Sequence, residues 1–264
     1  MNPWTVYIDS QIHKALATHK KYVHSCNEED LHDLRVHLKK IRSGLFFIRQ
    51  QSAQRKKELS TQYRQLKQFF RLAGMVRATG LRLNWLKAEG LTPLAAASNS
   101  YSSLQHQERT LVKKSKEYRS VLRKILKKLH THPQWGQGSA VKKYIGQLKD
   151  AIVVIALSGC SDEWHELRKT IKRLLYALQG LKPDEARKLI TKVRLQKLEQ
   201  LQEQIGFWND LTDHRQWMHQ QQFVSSNNPE LKQLSTAAIK RINNQLRLHS
   251  QKVDLLLQEV VSGM

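Results

Sequence analysis

The chain of 264 residues has only two cysteines, Cys26 and Cys160. That excludes a disulfide-stapled scaffold and a Cys-based zinc site, and it suits a reducing compartment. Five prolines and eleven glycines are few for this length. β-Branched residues are also sparse, and Leu, Gln, Lys and Arg dominate, all good helix formers. The longest apolar run, AIVVIAL at 151–157, falls far short of the ~20 residues a membrane-spanning helix needs. The start of the chain, MNPWTVYIDSQ, lacks the basic segment and apolar run of a secretory signal. A soluble, cytoplasmic protein with no membrane partner is therefore expected. Acids are the last scarcity: 22 Asp and Glu stand against 45 Lys and Arg, for a net charge of +23. Such an excess works against compactness by self-repulsion and calls for a polyanionic partner. The apolar fraction of 40% nevertheless supports a globular core.

Helical periodicity predicts helices at about 9–25, 29–51, 55–89, 93–131, 140–158, 162–182, 184–222 and 228–261. The third and seventh are expected to kink or break near Gly74 and Gly206. Asn27 and Ser161, each followed by acids, read as N-caps, and Pro183 as a helix start. The stretch HPQWGQGS at 132–139 is the best linker signal.

The linker divides the chain almost equally, and the two parts match. His32-Asp33-Leu34-Arg35 aligns with His165-Glu166-Leu167-Arg168, and Lys39-Lys40-Ile41 with Lys172-Arg173-Leu174, at an offset of 133. Gly74 meets Gly206 and Trp85 meets Trp217 at an offset of 132. We read an internal duplication: one all-α domain built from two repeats, about 8–132 and 140–261, each a helical bundle, related by a pseudo-twofold axis.

At about 100° per residue, Arg35, Lys39 and Arg42 form one stripe beside His32, less than a quarter-turn wide. Leu34, Leu38, Ile41 and Leu45 form the core face. The cations thus sit on the shoulder of the buried face, and His37 falls off the stripe. In the second repeat Arg168, Lys169, Lys172 and Arg173 spread around His165, over a core face of Leu167, Ile171, Leu174 and Leu178. Like charges at these spacings destabilise a helix by a few tenths of a kcal/mol per pair. A linear polyanion reverses that sign through charge-assisted bonds.

Arg64, Lys67 and Arg71 repeat the spacing on the next helix, but their counterparts are Gln196, Glu199 and Glu203, so the cation track is asymmetric. Lys113, Lys116, Arg123, Lys124 and Lys127 form a further basic band, for which a solvated face and a binding role weigh evenly. Trp85, Trp164, Trp208 and Trp217 fall at apolar helical positions and read as core. His32 and His37, five apart, do not form the i,i+4 pair that helices offer to zinc, and no metal or cofactor site is expected. No phosphate-cradling glycine loop, dinucleotide fingerprint or activated-nucleophile motif is present, so catalysis is not expected.

The stretches LHDLRVHLKKIRSGLFFI and WHELRKTIKRLLYAL resemble the two signature helices of the CHAD family, the α-helical domain named for its histidines. SKEYRSVLRKIL at 115–126 and GFWNDLTD at 206–213 are similar to two further elements of that family. The resemblance implies two four-helix halves around a pseudo-twofold, with a basic central cavity or groove. It also implies binding of inorganic polyphosphate through His32, Arg35, Lys39, Lys40, Arg42, His165, Arg168, Lys169, Lys172 and Arg173. Our own reading adds Arg64, Lys67, Arg71, Lys116, Arg123 and Lys127 as flanking cations. Members are often fused to a triphosphate-hydrolysing domain with a Glu-x-Glu-x-Lys motif; that motif is absent here, which fits a standalone binder. Two positions depart from the pattern: Ala78 replaces an Asp and Leu175 a basic residue.

The expectation is thus a non-enzymatic polyphosphate-binding module in the cytoplasm, and the family resemblance implies association with polyphosphate granules. Nucleic acid is the alternative partner, since the net charge alone would attract it. A phosphate-processing enzyme is a third reading, disfavoured by the absence of an acidic metal-binding cluster. The sequence leaves oligomeric state open.

Overall fold

The structure is a computed structural model describing residues 2–132, 138–159, 161–223 and 226–263. Every regular element among them is helical: α1 (Pro3–Ser25), α2 (Glu28–Arg49), α3 (Ala53–Glu58), α4 (Ser60–Ala88), α5 (Thr92–Ala97), α6 (Ser100–Lys113), α7 (Ser115–Thr131), α8 (Gly138–Ser158), a 3-10 turn (Ser161–Glu163), α9 (Trp164–Leu178), α10 (Pro183–Leu189), α11 (Lys192–Gln220) and α12 (Pro229–Ser262). None of the described helices is long and apolar enough to cross a membrane.

Local chemistry sets the boundaries. Asn27 caps α2 by accepting from the Glu29 amide at 2.7 Å, and Glu28, Glu29 and Asp30 fill its first turn. Acids there complement the positive end of the helix dipole. Asn2 and Asn228 cap α1 and α12 in the same way, each followed by a proline in the first turn. Pro183 opens α10. Ser161 instead begins the 3-10 turn that leads into α9, rather than the α-helix itself. The expected linker at 132–139 lies mostly outside the described residues; His132 closes α7 and Gly138 opens α8.

The long helix expected at 93–131 is three. Ser98 is extended (φ −87°, ψ 145°), and its hydroxyl donates to the Ala95 carbonyl at 2.9 Å and lies 2.7 Å from the Ser100 hydroxyl. Such side chains offer the backbone an alternative to the helical ladder. The expected break at Gly74 and Gly206 does not occur: α4 and α11 run through both. The interruptions fall earlier, at Leu59 and at the extended cap Thr191. The two glycines have another use, described below.

The described residues divide into two compact units. The first holds residues up to Leu81, Ser102–Ile145 and Arg173–Leu189; the second holds Arg82–Tyr101, Gly146–Lys172 and the chain from Ile190 onward. In the first unit, α2 buries Leu31, Leu34, Leu38, Ile41, Leu45 and Ile48, spaced alternately three and four apart. That spacing is one face of a helix. Against it lies α1, so close that a Cβ at Gly44 would stand 2.5 Å from Ile8 Cδ1. Further along, α1 meets α7. Tyr118 of α7 stacks on Phe69 of α4, centroids 3.9 Å apart. In the second unit α11 and α12 pair along their lengths. Trp164 is buried at the start of α9, edge-on to Trp208. Trp217 is buried too, and Trp85 stacks on His214 at 4.3 Å.

Candidate functional site

In the first unit the cations of α2 lie against α4. Arg35 donates through Nη1 to the Phe70 carbonyl at 3.2 Å. The guanidinium carbons of Arg35 and Arg42 stand 4.6 and 4.4 Å from the centre of the Phe70 ring. Arg49 lies over Tyr63 at 4.2 Å. Cation–π contact of this kind holds a charge beside a low-dielectric wall without removing its outer face from water. Gly74 makes room for the arrangement: a Cβ there would stand 2.7 Å from Arg35 Nη1.

The second unit repeats the motif. Arg168 of α9 donates through Nε to the Gln202 carbonyl at 3.2 Å. A Cβ at Gly206 would stand 2.8 Å from Arg168 Nη2. In both units the carbonyl belongs to the residue four before the glycine, and its second lone pair serves the arginine while the helix uses the first. The glycines are berths for the signature arginines. Their matching places in the sequence coincide with that packing.

The histidines that open the stripes are exposed. His165 Nδ1 lies 3.2 Å from Asn209 Oδ1, and the Asn209 amide donates to the Ile205 carbonyl at 2.8 Å. With its Nδ2 so committed, Asn209 presents oxygen to the ring. His165 Nδ1 therefore donates to Asn209 Oδ1. At the matching position Asn209 is replaced by Arg77, which pairs with Glu28. Burial, then Arg77, Lys39 and Arg35, lower the pKa of His32, against the pull of Asp33.

Crowded cations lower one another's pKa. Burial, followed by Arg77 and Arg42, brings Arg35 down to about 10. Burial lowers Arg42, with Arg173 adding to the effect and Tyr63 opposing it. Burial and Arg168 bring Lys172 down to about 8, even though Asp210 and Glu203 stand near it. Burial leads each of these shifts and the neighbouring cations add to it, and it is the like-charge part that a bound anion would relieve.

Arg173 ends in the first unit. The Ser43 hydroxyl of α2 donates to its carbonyl at 2.7 Å, so the two signature helices touch there. Its guanidinium lies 4.3 Å over Phe46 and donates to the Tyr144 hydroxyl at 2.9 Å. Burial, with Lys14 of α1 adding to it, lowers the pKa of Lys40. His37 joins Gln11 of α1 at 2.9 Å. Lys169 pairs with Glu166 at 2.7 Å on the surface.

Arg64, Lys67 and Arg71 are exposed on α4. They lie within about 100° of the edge that carries Phe70 and Gly74. Lys116, Arg123 and Lys127 are elsewhere. With Arg119, Ser120 and Lys124 they line an open groove along α7. That face is opposite the buried Tyr118, Val121, Leu122, Ile125 and Leu129, and so points away from α4. The basic band of α7 is not brought to the α2 stripe. Among the described residues no three His, Cys, Asp or Glu come together as a metal cage.

The profile of the CHAD domain matches residues 6–219. The chain belongs to the CHAD family. Its fold is similar to the crystal structure of the CHAD domain from the plant Ricinus communis. The TM-score is 0.69 and the identity 16%, over 97% of this chain and 90% of that one. No individually curated protein matches it significantly.

Within this CHAD domain, GFWNDLTD was visible in the sequence as an element, but what its Asn209 and Asp213 touch was not, and neither Phe70 nor Tyr63 stood out. Phe70 and Tyr63 are the aromatic wall, and Asn209 orients His165. Asp213 faces His165, Arg82 and Arg168. Phe70 and Tyr63 precede Gly74 by four and eleven residues, the spacing of one helical edge. That spacing was visible, but what crossed the edge was not.

Proposed function

We propose that this CHAD domain is a non-catalytic binding module for inorganic polyphosphate. The observation that carries the reading is the repeated arginine berth. Two signature helices each press an arginine against a glycine and a helix carbonyl. Rigid, partly desolvated cation stripes result, and they reach successive phosphates at little further cost in side-chain entropy. The overall charge of +23 supplies attraction at a distance. A flexible, unbranched polyanion suits stripes half-walled by a neighbouring helix better than a duplex does. The proposal includes two four-helix halves about a pseudo-twofold, with the chain held in a basic groove, and localisation at polyphosphate granules.

Titration at ~150 mM salt tests this, with long-chain polyphosphate, triphosphate and single- and double-stranded oligonucleotides as ligands. Polyphosphate should bind best, and better as its length grows, because neighbouring phosphates act at high effective concentration. The combined Lys39→Ala, Lys67→Ala and Arg71→Ala variant should bind at least about tenfold more weakly. Equal or tighter oligonucleotide binding contradicts the reading. Release of orthophosphate in the presence of Mg²⁺ contradicts its non-catalytic part.

A further inference from the structure

The two stripes are alike in their arginine berths and opposite in their surroundings. On the first, Arg35, Lys39 and Arg42 of α2 are flanked on α4 by Arg64, Lys67 and Arg71. At the matching positions of the second stand Arg168, Lys172 and Leu175 on α9, and Gln196, Glu199 and Glu203 on α11. Two more α11 acids, Asp210 and Asp213, occupy the places of Ala78 and Leu81. Six Lys or Arg with no acid at these eight positions of the first stripe thus become two with four acids in the second.

The acids lie near enough to the cations to act on their charge. Glu203 and Asp210 act on Lys172, and Asp213 acts on His165 and Arg168. The aromatic wall differs as well. Phe70, which holds both Arg35 and Arg42, is matched by Gln202, and Tyr63 by Leu195. The first stripe therefore meets a polyanion with no acid at those eight positions, its nearest carboxylates being Asp33, which acts on His32, and Glu28, which pairs with Arg77. The second meets it with carboxylates that repel phosphate and act on Lys172, Arg168 and His165.

We infer that the two repeats hold polyphosphate unequally: the α2–α4 stripe is the anchoring subsite, and the α11 carboxylates keep the α9–α11 stripe a weak one. This rests on the polyphosphate reading above. An unequal pair has a consequence that a symmetric pair lacks. The anchored part of the chain stays put while the rest exchanges, so the free end remains open to other proteins. Like-charge juxtaposition is a general means of lowering affinity at a chosen position.

The test copies one residue of the first stripe into the second. Glu203→Arg reproduces Arg71 and should tighten binding of long-chain polyphosphate about tenfold, with a log–log salt slope steeper by about one. Glu203→Gln, a milder change, should tighten it about threefold. Asp254→Arg adds the same charge on α12, about 140° round that helix from His249, which faces α11, and should change affinity less than about twofold. Arg71→Glu should weaken binding by more than about tenfold.

An unchanged affinity in both Glu203 variants, or an equal gain from Asp254→Arg, overturns the inference while leaving polyphosphate binding in place. Wild-type protein that does not bind polyphosphate at all removes the function proposed above and this inference with it.

Discussion

Replacing Gly74 or Gly206 with alanine sets two effects of opposite sign against each other on one helix. Inside a helix, Gly→Ala stabilises by ~0.5–1 kcal/mol, because the backbone loses less freedom on folding. Gly80, also within α4, has nothing within 4 Å of the point where an alanine methyl would stand, so Gly80→Ala should show that gain undiminished. At Gly74 the new Cβ would stand 2.7 Å from Arg35 Nη1, and at Gly206 2.8 Å from Arg168 Nη2. Real carbon–nitrogen contacts do not come so close, so the guanidinium must withdraw. It then loses its hydrogen bond to a helix carbonyl. Hydrogen bonds to charged groups contribute ~1.5–3 kcal/mol, and partial exposure of both arginines reduces that to about 1–2 kcal/mol. The berth loss outweighs the helix gain, and each variant should be less stable by up to about 1 kcal/mol. In thermal melts Gly80→Ala should rise by about 1–3 °C, while Gly74→Ala and Gly206→Ala fall by up to about 4 °C. If all three rise alike, the arginines move freely and the berth is no constraint. A second check is polyphosphate affinity, which should drop in Gly74→Ala and stay level in Gly80→Ala.

Burial penalises the charged form of Lys172 and brings its pKa from 10.5 to about 8. The unfolded chain therefore binds more protons between about pH 8 and 10.5, and stability rises with pH across that window. Urea melts at several pH values should show this slope in wild-type protein and a flatter one in Lys172→Met. A bound phosphate raises the same pKa, so calorimetry near pH 8 in buffers of differing ionisation heat should show proton uptake on binding, absent in Lys172→Met. His19 is fully buried against Phe69, neither ring nitrogen finds a hydrogen-bond partner among the described residues, and burial, aided by Arg119, brings its pKa to about 4. A histidine whose folded pKa is lowered takes up its proton more readily when unfolded, so stability falls as pH drops from 6.5 towards 4. His214 contributes in the same direction. His19→Leu should remove its share of that acid sensitivity, up to about 3 kcal/mol, read as melting temperature between pH 7 and 4.5. An unchanged acid limb would contradict the assignment.

The helices were legible because their signals are local: the leucine spacing of α2, the Asn27 cap with its acids, the proline that opens α10. The shoulder position of Arg35 and Arg42 was legible too, since it follows from their angle to Leu34, Leu38 and Ile41. What closed over that shoulder was not. Gly74 and Gly206 read as weak points because glycine lowers helix propensity. Their partners, Arg35 and Arg168, lie almost 40 positions away in sequence, and nothing local reports the contact. Lys40 illustrates the same limit, because Lys14, which adds to the lowering of its pKa, lies on α1. So does the band on α7, whose charge was plain while its orientation depended on Tyr118 stacking on Phe69.

Lysine-directed chemical labelling with and without long-chain polyphosphate, read residue by residue by mass spectrometry, separates these stripes from the rest of the basic surface. Lys39 and Lys67 should be strongly protected, Lys172 more weakly, and Lys87, Lys240 and Lys252 not at all. Protection confined to Lys116, Lys124 and Lys127 of α7, or spread evenly over all surface lysines, would contradict polyphosphate binding along these stripes.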